Sequence, residues 1–207
     1  MRNRSQRKTQ SGFTLIETMI ALIVMVVGML SLAMVIGSGV AYMNTSQADY
    51  IAQQKAAEAV ESIFTARDIG QTTWSSICNV GSSVCCAGIA SCTPAGVFVT
   101  NNQPLCGSGV DGIIGTADDY NGSSCAGCAA YACPDAILVP NSTGTFGTGT
   151  PVYLQLSNYK RQIAISNVTS GGSTLSNVRQ ITITISYSAG AMKNRTYTLN
   201  AYISNFS

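Results

Sequence analysis

The hydrophobic pattern changes along the chain, and each change marks a different kind of element. Residues 13–43 are almost all apolar, and no charged residue lies between Glu17 and Asp49. In residues 44–68, apolar side chains recur at steps of three and four, which predicts a helix with one buried stripe. No proline interrupts residues 13–67, so we expect one continuous helix of about 55 residues. The stripe consists of Ile51, Ala52, Ala56, Ala59, Val60, Ile63 and Phe64.

Residues 151–207 alternate apolar and polar positions, which is typical of strands with one buried face. Glycine-containing turns at residues 170–173 and 188–190 separate the runs. We therefore predict an antiparallel sheet packed on the amphipathic half of the long helix. The fold class is α+β. The apolar strand positions are Val152, Leu154, Leu156, Ile163, Ile165, Ile181, Ile183, Ile185, Tyr187, Tyr197, Leu199, Ala201 and Ile203.

Residues 69–150 connect the helix to this sheet and are rich in Gly, Ser, Thr and Asn, with little periodicity. A loop of this length usually needs covalent cross-links to be ordered. Disulfides can supply them, since disulfides persist outside the cytoplasm. The alternatives are a redox or zinc site at Cys125-Ala-Gly-Cys128, but neither a second CxxC pair nor a βαβ context accompanies it. All eight cysteines of the chain are therefore disulfide candidates: Cys78, Cys85, Cys86, Cys92, Cys106, Cys125, Cys128 and Cys133.

An acidic loop follows within the connecting region, with carboxylates at Asp111, Asp118 and Asp119. Carboxylate oxygens are the ligands that Ca²⁺ prefers, so the loop is a candidate calcium site. The spacing is not that of an EF-hand. The alternative is an acidic turn in which the aspartates accept hydrogen bonds from the backbone.

Charge and composition exclude several classes of function. Charged residues are only 10% of the chain, histidine is absent and the formal net charge is +2. Four of the eleven bases lie in residues 1–12, which hold no acid, so seven bases face nine acids in the rest. No basic patch for nucleic acid exists beyond those residues. Without histidine or a recognisable catalytic carboxylate pair, we expect no enzyme.

The apolar run exceeds the length of about 20 residues that spans a bilayer, and it is longer than the core of a secretory signal. The bases before it predict a cytoplasmic N-terminus, with the remainder outside the cytoplasm. Glu17 is unusual, because a carboxylate at membrane depth is costly and by default signals a function.

The string Gly12-Phe13-Thr14-Leu15-Ile16-Glu17, between a basic leader and an apolar helix, resembles the class III signal of type IV pilins and type II secretion pseudopilins. This resemblance implies cleavage after Gly12 by prepilin peptidase, which removes residues 1–12. It also implies N-methylation of Phe13. Glu17 would neutralise the new amine of a neighbouring subunit during assembly.

The resemblance also suggests which kind of pilin this is. Many major pilins have a proline near the middle of the apolar segment, where this chain has Met34. Residues 16–32 and 57–63 look more like PilV-type minor pilins or GspI-type pseudopilins. We therefore expect a minor pilin with other pilin subunits, prepilin peptidase and the bacterial inner membrane as partners, and with no required cofactor. The alternatives are a type II secretion pseudopilin and an anchored extracytoplasmic binding protein that does not polymerise.

Overall fold

The structure is a computed structural model that describes residues 12, 14–87, 93–120, 125, 136–139, 152–189 and 192–205. Only the backbone is described for residues 136–139, 152–155 and 192. The chain divides into two compact units, residues 1–44 and 45–207.

One helix, α1, spans Leu15–Asp68 and confirms the expected continuous helix. The carbonyl oxygen of Thr14 accepts its first hydrogen bonds, from the amides of Glu17 at 3.1 Å and Thr18 at 3.3 Å. At the other end, Gly70 adopts a positive φ of 74°, the left-handed conformation that often ends a helix. The carbonyl of Ala66 there accepts from the amide of Gln71 at 2.8 Å.

The second unit is built around a four-stranded antiparallel sheet. In spatial order its strands are β1 (Gln103–Pro104), β4 (Lys160–Ser170), β5 (Ser173–Ala189) and β6 (Met192–Ser204). Two adjacent glycines, Gly171 and Gly172, both have positive φ and form the tight turn between β4 and β5.

Two details differ from the sequence-based expectation. The run that begins at Val152 is a strand, β3 (Val152–Gln155), but it pairs with β2 (Ala136–Val139) in a separate two-stranded sheet. The connecting region, residues 69–150, also contributes β1 to the main sheet, and it forms two short 3-10 helices, Trp74–Ser76 and Ser83–Cys86. Alternation alone indicates a strand but does not identify its partner, which explains the first difference.

The core forms between residues 45–68 of α1 and the sheet. The buried residues of the helix include Ile51, Ala52, Ala56, Ala59 and Ile63, all within the predicted stripe. Small alanines let the helix backbone approach the isoleucines of the sheet closely. The isoleucines facing this stripe are Ile163, Ile165, Ile181, Ile183, Ile185 and Ile203.

Three contacts show the direction of α1 against the sheet within the second unit. Near the first residues of this unit, Asp49 pairs with Arg195 of β6 at 3.1 Å and accepts a hydrogen bond from the Tyr187 hydroxyl at 2.5 Å. Near the helix end, Arg67 donates to the carbonyl of Ser204 at 2.9 Å. Residues 45–68 therefore run beside β6 and in the same direction.

A buried side chain completes the edge of β4 beyond its short pairing with β1. Asn79 is 4% exposed and accepts from the amide of Ile165 at 2.7 Å. Its amide nitrogen donates to the carbonyls of Ile163, at 2.8 Å, and Phe98, at 3.2 Å. The carboxamide thus makes the hydrogen bonds to the backbone of β4 that a neighbouring strand would otherwise make.

Candidate functional site

The residues expected to act in cleavage and assembly lie just before α1 and in its first turn. Gly12 is exposed, and a Cβ added there would meet no atom within 4 Å. Phe13 lies outside the described residues. Glu17 is exposed in the first turn of the helix, where the helix dipole favours a negative charge. No ion pair of Glu17 is found within the part of the chain that the structure describes.

The helix that follows Glu17 presents an apolar surface all round. Every residue from 15 to 43 is exposed, and the large apolar side chains of this segment are at least 53% exposed. The hydroxyls of Thr18, Ser31 and Ser38 donate to carbonyls three or four residues earlier, at 2.8–2.9 Å. Because those polar groups are satisfied inside the helix, the segment suits an apolar environment. By length and composition, α1 can cross a membrane.

A comparison with known protein families identifies this segment. The family model described as the prokaryotic N-terminal methylation motif matches residues 7–36. This chain carries the N-terminal methylation motif of type IV pilin-like proteins. The matched segment contains the Gly12–Glu17 string and the first half of the apolar helix.

The motif and the fold agree on the class of protein. The motif supports a type IV pilin-like or pseudopilin protein that is processed by prepilin peptidase and assembles with other pilin subunits. The α+β architecture is pilin-like, and the single apolar helix fits a membrane anchor. Neither the curated proteins nor the solved structures contain a match to the chain.

Disulfides fasten the connecting region. Cys78 is bonded to Cys85, with their Cα atoms 5.5 Å apart, and Cys106 to Cys125, with their Cα atoms 5.4 Å apart. Cys86 is disulfide-bonded as well, so the adjacent Cys85 and Cys86 have different partners. Since Cys125 is joined to Cys106, the Cys125-Ala-Gly-Cys128 string does not form a redox pair within itself. The remaining candidates, Cys92, Cys128 and Cys133, lie outside the described residues.

The structure brings the three carboxylates of the acidic loop together. One oxygen of each of Asp111, Asp118 and Asp119 lies within 4.8 Å of the others. Asp111 accepts from the amide of Ile113 at 2.8 Å, and Asp118 accepts from the amide of Asp111 at 3.1 Å. These bonds are those of the predicted acidic turn. The oxygens also have the proximity that a cation would need, so the calcium site stays a prediction.

The buried Asp119 organises the loop from its centre. It is 1% exposed and accepts from the amides of Gly109, at 2.7 Å, and Gly115, at 2.5 Å. Burial raises its pKa, and these hydrogen bonds together with Arg161, 3.9 Å away, oppose the rise. Burial also acts to raise the pKa of Asp118, but hydrogen bonds from Thr116 and from backbone amides outweigh it and lower that pKa.

Two buried arginines, Arg161 and Arg179, were not predicted from the sequence. Arg161 donates to the carbonyl of Cys106 at 3.0 Å, and Arg179 donates to three carbonyls, those of Trp74, Ile77 and Val84. Both arginines thereby fasten disulfide-containing loops to the sheet. A sequence signal existed, because each arginine lies two residues before an isoleucine of the buried face and so has the same strand parity.

Proposed function

We propose that this chain is a structural subunit of a type IV pilus or pilus-like filament, and that it is a minor pilin. It inserts into the bacterial inner membrane with residues 1–12 in the cytoplasm. Prepilin peptidase then cuts after Gly12, and the exposed apolar helix moves from lipid into the filament. The observation that carries the proposal is the exposed, apolar part of α1, residues 15–43, which has one carboxylate in its first turn and overlaps the matched methylation motif.

The charge balance at the start of the helix supports a role for Glu17 in assembly. Cleavage after Gly12 creates an amine on Phe13 beside a segment that lacks other charges as far as Asp49, apart from Glu17. An unpaired charge in an apolar environment costs about 2.5–3.5 kcal/mol or more. A neighbouring subunit, displaced along the helix, would bring its Glu17 carboxylate to this amine, and the pairing would offset part of the cost of both buried charges. The pair would also fix the axial register between subunits.

A type II secretion pseudopilin shares the same motif and remains the alternative. The two functions differ in the machinery that the protein joins. Co-purification of the epitope-tagged full chain with pilus components supports the minor pilin. Co-purification with secretion components instead supports the pseudopilin.

The substitution Glu17→Val tests the filament role. We expect normal membrane insertion and at least about a tenfold loss of incorporation into sheared filaments, since about 1.4 kcal/mol corresponds to tenfold. Thr18→Val, which removes a neighbouring polar group without changing charge, is the matched control and should incorporate normally. Undiminished incorporation of the Glu17→Val protein would refute the register role. No incorporation of the wild type would support an anchored protein that does not polymerise.

A further inference from the structure

The second unit carries opposite charges at its two ends along the direction of α1. The exposed Glu58 and Glu61 lie on the later part of the helix, beside the acidic loop. Lys160 and Lys193 are exposed at the end of the sheet where Arg195 pairs with Asp49. Since Asp49 precedes Glu61 by twelve residues, the two ends are about 18 Å apart along the helix, at 1.5 Å per residue.

The acidic end contains a groove between α1 and the acidic loop. Its volume is about 350 Å³, and it is lined by Glu58, Glu61, Ile69, Gln71, Gly112 and Ile114. Glu58 is paired with Lys55 at 2.7 Å, whereas no ion pair of Glu61 is found within the described residues. Ile69 and the nearby Val110 are 68% and 97% exposed, so apolar surface flanks the groove.

The basic end is formed by three neighbouring strands. Lys160 begins β4 and is in register with Ser186 of β5, which is in register with Thr196 of β6. Lys160 also lines a second cavity of about 320 Å³ with Asn102, Ser186 and Asn194. Within the part of the chain that the structure describes, neither Lys160 nor Lys193 has an ion-pair partner. Their charges are therefore available to another molecule.

We infer that the acidic groove at Glu58 and Glu61 binds the basic end at Lys160 and Lys193 of a second copy of this chain. Copies whose residues 45–68 run in the same direction cannot form an antiparallel pair with two-fold symmetry. Parallel copies satisfy the contact only when one is displaced along the helix relative to the other. Such a contact joins unlike surfaces and leaves one of each free for a further subunit.

This contact rests on the proposed filament function and adds to it a recognition surface between the second units, here called the heads (residues 45–207), of neighbouring copies. It acts outside the membrane, whereas the Glu17 pair acts inside. Exposed charges steer association and fix register more than they add affinity. We therefore expect the contact between heads to weaken strongly with salt.

Zero-length carbodiimide cross-linking of the full chain in detergent tests the contact directly, because the reagent joins only carboxylates and amines that touch. Isotopically light and heavy copies are mixed before the reaction. We expect mixed light–heavy peptides that link Glu58 or Glu61 to Lys160 or Lys193, and at least a tenfold lower yield in about 1 M salt, where the screening length is about 3 Å. The Lys55–Glu58 link, at 2.7 Å within one copy, is the internal control and should never be mixed.

Variants separate the contact from unrelated association. Glu61→Lys should abolish the mixed link at that residue, and adding Lys160→Glu and Lys193→Glu to the same chain should restore it through the exchanged charges. Gln53→Lys, an exposed position on the same helix that does not line the groove, is the control and should leave the links unchanged. The inference is overturned if only same-isotope links form. It is also overturned if neither Glu61→Lys nor the exchange of charges alters the mixed links at the other residues or the response of those links to salt.

The cross-linking result does not depend on cleavage or on a filament. Absence of mixed links, together with lost incorporation of the Glu17→Val protein, would remove the head contact and leave the filament function standing. Mixed links in a wild-type protein that never enters filaments would establish the head contact and remove the filament function.

Discussion

Replacing Asn79 by aspartate tests how the disulfide-rich region is fastened to the sheet. The change is nearly isosteric, so it leaves no cavity. It removes the two hydrogen bonds that the side-chain amide donates to the carbonyls of Ile163 and Phe98. It also places a second carboxylate oxygen against those carbonyls in a site that is 4% exposed.

The cost follows from the number of buried groups that lose a partner. Phe98 keeps a hydrogen bond from the amide of Val80 at 2.9 Å, but the carbonyl of Ile163 loses its bond from Asn79. An unsatisfied buried polar group costs about 1–3 kcal/mol, and a buried carboxylate adds to this. We expect a loss of about 3–5 kcal/mol, which is a fall in Tm of roughly 6–20 °C for a domain of this size.

Thermal unfolding of the full chain in detergent, followed by circular dichroism, measures the effect. Burial should raise the pKa of the new carboxyl above its unfolded value, so the folded state binds its proton more tightly. Stability of the variant should therefore recover as pH falls below neutral. The exposed Asn102→Asp is the matched control and should shift Tm little. A variant at Asn79 with wild-type Tm and no recovery in acid would refute the assigned role.

Two further predictions concern the ionisable groups of the head. Burial, followed by the hydrogen bond to Asp49, raises the pKa of Tyr187 to about 12. Because the folded pKa lies above the unfolded value near 10, its contribution to stability is complete below pH 10 and is lost as pH rises toward 12. Urea unfolding at several pH values should show a smaller alkaline loss for Tyr187→Phe; an equal loss in both proteins would contradict this. For the acidic loop, bound Ca²⁺ would raise the Tm of chelator-treated protein in a saturable manner, and Asp118→Asn would remove the rise. An identical Tm with and without Ca²⁺ would leave the three carboxylates as turn acceptors only.

Periodicity predicted the parts of the fold that carry a regular pattern. Residues 45–68 and the strands from residues 160 to 204 were predictable because their apolar positions repeat at 3.6 or 2 residues. The first half of α1 was predictable from a long apolar run without proline. The position of β3 was not predictable, since pairing depends on a partner strand distant in sequence.

The polar interior was less accessible to sequence reasoning. Asn79 lies in a segment without periodicity, and only its contacts with β4 give it a role. Arg179 occupies the same strand parity as the buried isoleucines, which indicates a buried position. The general rule that charged residues are exposed indicates the opposite, so the sequence alone does not predict that Arg179 is buried. The proximity of Asp111 to Asp118 and Asp119 is visible in sequence, whereas the burial of Asp119 against Arg161 is a product of the fold.

The processing and assembly residues are predicted by the opposite kind of signal. Gly12 and Glu17 make few or no contacts in the described part of the chain, so the roles proposed for them rest on the motif and not on packing. Structure adds that Gly12 has room for a side chain within its own chain. A block to cleavage in a Gly12→Val protein would therefore arise at the peptidase and not from misfolding.

The intact mass and N-terminal sequence of the protein purified from its native membrane test the central claim most directly. We predict a chain that has lost residues 1–12 and begins at Phe13 with one added methyl group, and an unshortened chain for the Gly12→Val protein. A wild-type chain that retains residues 1–12, or that begins elsewhere, would contradict the account.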